Sequence, residues 1–90
     1  MSAKSETSPL GGARLKAQIH RSNDLWMTGG EFRLLRKAAG FSRPQLADEM
    51  RKKGWEWYEK RIKRFEKKAK VFLDPAEMQA LLAVLGASSL

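Results

Sequence analysis

Cysteine is absent from this chain and histidine occurs once. Without thiols there is no disulfide framework, no thiolate zinc site to hold a small fold together, and no thiol catalysis. The lone His20 has no acidic or histidine neighbour in sequence, so neither a metal site nor acid–base chemistry is expected of it, and it reads as a surface residue. Long apolar runs are missing too. The longest, at residues 80–85, falls far short of the roughly 20 residues that cross a bilayer. The opening MSAKSETSPLGG lacks the apolar core of a secretory signal. Together these absences predict a soluble, cytoplasmic protein with no membrane partner. The chain also lacks paired carboxylates and a phosphate-cradling glycine loop, so an enzyme is not expected, and no cofactor is implied.

What is present is positive charge, unevenly placed. The net charge is +8, and ten basic residues stand against three acidic ones within residues 51–70. Those basic residues are Arg51, Lys52, Lys53, Lys60, Arg61, Lys63, Arg64, Lys67, Lys68 and Lys70. A field concentrated in one stretch attracts polyanions and speeds their association, the electrostatic footprint of a nucleic-acid binder. The same charge is also compatible with a solvated helix face. With 90 residues and 42% hydrophobic content, the chain suffices for one compact core and not two.

Residues 1–13, rich in Ser, Gly and Ala, read as a flexible arm. The arm extends to residue 25, and Leu15 and Ile19, four apart, permit a short helix within it. Leu25 and Trp26 are suited to docking on the folded domain, residues 26–90. Three signatures then announce helices. Thr28-Gly29-Gly30-Glu31 has capping-box spacing and opens a helix whose apolar positions are Phe32, Leu35 and Ala39, with Arg33, Arg36 and Lys37 on other faces; Gly40 stops it. Ser42-Arg43-Pro44-Gln45 repeats the box with proline in the first turn, and Leu46, Ala47 and Met50 face inward before Gly54. Asp74-Pro75-Ala76-Glu77 opens a last helix with Met78, Leu81, Leu82 and Leu85 on one stripe, ending at Gly86. Between them, residues 55–70 contain no proline or glycine, and Tyr58, Ile62 and Phe65 recur at i, i+4 and i+7, which predicts a third helix with those three residues packed. Met27, Met50 and Met78 read as core fillers. With no alternating strand pattern, the expected fold is all-α: a compact bundle of four to five short helices.

The run GGEFRLLRKAAGFSRPQLADEM resembles the first two helices of the XRE family, the phage-repressor and Cro type of helix-turn-helix regulator. GWEWYEKRIKRFEKK is similar to the variant in which a longer turn precedes the recognition helix, with Gly54, Trp57, Ile62, Phe65 and Glu66 at its spacing. LDPAEMQALLAVLG resembles the closing helix. The resemblance implies a sequence-specific double-stranded DNA-binding regulator, a repressor of phage or mobile-element type, working as a homodimer through its last helix or its arm. It makes Ser42 the cap of the positioning helix and Arg43 a contact residue in its first turn. It puts Glu59, Lys60, Arg61 and Arg64 on the exposed side of the recognition helix, and the basic run adds Lys63, Lys67 and Lys68 as DNA-binding candidates. Arg reads guanine O6 and N7, Lys serves phosphates, and Glu59 either accepts from cytosine N4 or pairs with Lys63 along the helix. Arg14, Lys16 and Arg21 are candidates for a minor-groove arm. Tyr58 occupies the family's Ser or Thr cap, which admits an earlier helix start near Trp55. The family's closing glycine is missing, which lets the helix run on through Lys70. The rival reading is a small protein-interaction module, an inhibitor or antitoxin, using the basic face against an acidic protein.

Overall fold

The computed structural model describes residues 15–21 and 25–89. The expected arm segment at residues 1–13, like Arg14, lies outside the described residues. Four helices form, three of them where the capping signatures place them: α1 (Gly29–Ala38), α2 (Arg43–Lys52), α3 (Glu59–Lys67) and α4 (Pro75–Leu85). Each of three starts is held by a side-chain acceptor: Thr28 takes the Glu31 amide, Ser42 the Gln45 amide and Asp74 the Glu77 amide. Only Ser42 forms the full box, with Gln45 accepting from the Ser42 amide at 2.8 Å. Such a cap is worth about 1 kcal/mol. At the far end of α4, Gly86 adopts φ +68, where an L side chain would be strained.

The all-α expectation is overturned. Five short strands join the helices in two sheets among the described residues, making a mixed α/β fold. Strand β1 (Leu15–Ala17) lies parallel to β5 (Ala87–Ser89), with Leu15 opposite Ala87. Strands β2 (His20–Arg21), β3 (Leu25–Met27) and β4 (Val71–Leu73) form an antiparallel sheet in that order. Trp26 stands opposite both His20 and Phe72. The predicted short helix at Leu15 and Ile19 is therefore strand and connecting chain, with Ala17 and Ile19 buried in the core. The sheet's inner residues Met27, Val71 and Leu73 are buried, while Phe72 is 52% exposed. Alternation over three residues is real here, and too brief to register as a period.

The core gathers around a cluster of three aromatic rings. Phe32, Trp57 and Phe65 lie 5.3 to 6.1 Å apart between centroids, tilted or edge-to-face. Trp57 and Phe32 are fully buried, as are Leu46, Met50, Ile62 and Leu81. The three methionines expected in the core are all there. Tyr58, predicted to pack, is 56% exposed. Its place in the core belongs to Trp57, one residue earlier and still in the turn. No helix among the described residues is long and apolar enough to cross a membrane.

Candidate nucleic-acid interface

Helix α3 is fixed against its neighbours before anything can bind it. Its first residue is Glu59, not Trp55, and Tyr58 occupies the cap position without a side-chain hydrogen bond. The turn from Gly54, at φ +93, is tied down by Arg51, whose Nη1 donates to the Trp57 carbonyl at 2.8 Å. The helix ends at Lys67, because Lys68 turns to extended backbone. Its carbonyl accepts from the Gly29 amide at 3.0 Å. The expected run-on through Lys70 thus gives way to strand β4, whose pairing with β3 outweighs the helix propensity of lysines.

Glu66 locks the register. Its side chain is 3% exposed. Arg36 Nε donates to Glu66 Oε2 at 2.6 Å and Arg36 Nη2 to Oε1 at 3.3 Å. Arg36 Nη1 donates to the Phe41 carbonyl at 2.8 Å. Arg43 adds a donor from α2, Nε to Oε1 at 3.2 Å. One carboxylate therefore joins α1, α2 and α3. Arg36, expected on an outer face, is buried, and Arg43, expected at DNA, has its guanidinium turned onto Glu66 and is one-third exposed.

Arg61 also departs from its expected place. Its guanidinium carbon lies 5.4 Å from the Trp57 ring centroid and 5.1 Å from that of Phe65. Nη1 donates to the Glu56 carbonyl at 3.2 Å, and Nη2 stands 3.5 Å from Glu77 Oε2. That same Glu77 oxygen accepts the Trp57 indole N–H at 2.6 Å. Arg61 is therefore spent on the inner side of α3, correcting its assignment to the exposed side.

The remaining candidates point outward. Glu59, Lys60, Lys63, Arg64 and Lys67 are exposed on α3 and, at 100° per residue, fill one contiguous arc opposite Ile62 and Phe65. None of the five forms an ion pair or a side-chain hydrogen bond with another described residue, so the alternative Glu59–Lys63 pairing is not formed. Lys68, past the helix end, leans over the Phe65 ring at 5.9 Å. Lys52 is exposed but engaged: the Glu49 carboxylate, by hydrogen bond and by charge, raises its ammonium above the ordinary 10.5, with Asp48 adding to the effect. Among the described residues no group of acidic or histidine side chains gathers as a metal site.

Two functional partnerships escaped the sequence reading. Glu66 stood in the spacing pattern, but its role did not; a carboxylate on the inner side of a basic helix, next to a buried Phe65, was the available signal. Glu77 stood at a capping-box position, and nothing marked Trp57 as its partner. No protein-family model, curated protein or solved structure matches the chain.

Proposed function

We propose that this chain is a sequence-specific double-stranded DNA-binding regulator of XRE type that lays the outward arc of α3 in the major groove. The observation that carries this reading is the division of labour on α3. Its inner side is fixed by Ile62, Phe65, Glu66 and Arg61. Its outer side presents Lys60, Lys63, Arg64 and Lys67 without intramolecular partners among the described residues. A rigid helix with uncommitted cations suits base-edge and phosphate contacts, because the cost of ordering the helix is met by the fold. Arg64 is the candidate for guanine, and the lysines for phosphates. Arg43 serves as a brace for Glu66, with its exposed edge left for a phosphate.

A single α3 offers few base contacts, so the regulator works as a homodimer on a two-fold operator and represses by occupying it. The experiment is selection of duplex fragments from a random pool by the purified protein, followed by binding to the selected duplex against random competitor at several salt concentrations. Recovery of a two-fold motif, with affinity that survives competitor, supports the reading. Loss of all duplex binding under competitor, with capture by an acidic protein instead, supports the interaction-module alternative.

A further inference from the structure

The outward face of the three-stranded sheet carries a row of planar side chains that the α3 reading does not use. His20, Trp26 and Phe72 are direct register partners across β2, β3 and β4, so all three rise on one side. His20 is stacked on Trp26, with centroids 4.0 Å apart and planes 18° apart. Phe72 continues the row 6.2 Å beyond Trp26 and is 52% exposed. The Lys70 ammonium stands 4.7 Å from the Trp26 ring centroid. The strand's inner residues, Val71 and Leu73, already fill the core, and Phe72 between them faces the other way.

We propose that this row is a stacking platform for single-stranded DNA. His20 covers one face of Trp26 and Lys70 stands over its ring, so the ring left open for an unstacked base is Phe72, and the Lys70 cation beside the row meets the phosphates. Charge decides the occupant. A second copy seated on this face would bring Lys70 against Lys70, whereas a polyanion is attracted to it. Continuity decides DNA: the lysines at 67, 68 and 70 lead from the end of α3 directly into β4, so a strand whose phosphates follow α3 is passed to the sheet. That choice of DNA rests on the duplex reading of α3; the platform itself does not.

The test is fluorescence anisotropy with three probes: an oligothymidine strand, an oligouridine of equal length, and the selected duplex. The proteins are the full chain, Phe72→Ala, Lys70→Gln, and a double variant Lys63→Gln with Arg64→Gln, each checked for fold by circular dichroism. Phe72→Ala should weaken oligothymidine binding about 5- to 160-fold, the range of one lost base stack. Lys70→Gln should weaken it several-fold and flatten its salt dependence, and both should leave duplex affinity within about twofold. The double variant should lose the duplex and keep most of the strand. A protein that never binds duplex but loses the strand on Phe72→Ala sinks the α3 reading and keeps the platform. The platform is overturned if oligothymidine binds equally to wild type and both sheet variants, or if Phe72→Ala merely converts a dimer to a monomer in sedimentation; tighter binding of oligouridine overturns the choice of DNA.

Discussion

The indole N–H of Trp57 donates to Glu77 Oε2 at 2.6 Å, joining the turn before α3 to the first turn of α4 inside the core. Glu77 is 7% exposed and also stands beside Arg61, so one carboxylate serves a buried donor and a half-covered cation. Glu77→Ala is expected to lower unfolding stability by about 1 to 3 kcal/mol, the cost of leaving a buried polar donor unmet. Glu77→Gln retains an acceptor oxygen for the indole and should cost less than half as much. Chemical denaturation of both variants checks the order; equal losses would show that the charge toward Arg61, and not the hydrogen bond, matters.

Glu66 and its arginines give a second asymmetric pair of outcomes. Glu66→Ala strands the buried Arg36 guanidinium and is expected to cost about 3 to 5 kcal/mol. Arg43→Ala, at a residue one-third exposed and screened by solvent, should cost about 1 kcal/mol or less. Thermal melts of the two variants at equal ionic strength separate them. A mild Glu66→Ala phenotype would mean that Arg36 finds another acceptor.

Two adjacent glycines should behave oppositely. A Cβ at Gly29 would overlap the carbonyl oxygens of Phe65, Glu66 and Lys68, all backbone of the end of α3. Gly29→Ala is expected to destabilise by about 3 kcal/mol, since α1 and α3 must separate. At Gly30 the nearest atom is the Thr28 hydroxyl oxygen at 4.0 Å, and Gly30→Ala should stabilise by about 0.4 to 1 kcal/mol. Urea midpoints of the pair decide the matter.

On α3 itself, Arg64→Ala should cost about 1 to 3 kcal/mol of binding at one operator position and leave stability within about 0.5 kcal/mol. Lys67→Ala should weaken binding to every duplex and reduce the salt slope by about one. Arg61→Ala should instead lower the melting temperature, because its guanidinium lies on Trp57 and Phe65. Binding curves on point-substituted operators, taken with melts of the free proteins, test the three together. Base-specific loss from Arg61→Ala without destabilisation would return Arg61 to the interface.

The helices were legible because their boundaries are local chemistry: Ser42 and Gln45, Asp74 and Pro75, and Gly86 speak for themselves within four residues. Leu25–Met27 and Val71–Leu73 were not, because each is three residues long and acquires its strand geometry from the other, far along the chain. The site was legible as charge and not as direction. Whether Trp57 or Tyr58 enters the core is set by the turn from Gly54, and with it the start of α3. Arg61 is then drawn inward by Glu77, a residue of another helix, which no local pattern contains.

The parallel pairing of Leu15–Ala17 with Ala87–Ser89 has a consequence in time. During synthesis β1 leaves the ribosome long before its partner exists, while the caps and stripes of α1, α2 and α3 are already complete. The helical core is free to form first, and β1 closes against β5 only after almost the whole described chain has emerged, the costliest loop in the molecule. Until then Ala17, fully buried in the finished fold, stays open to solvent.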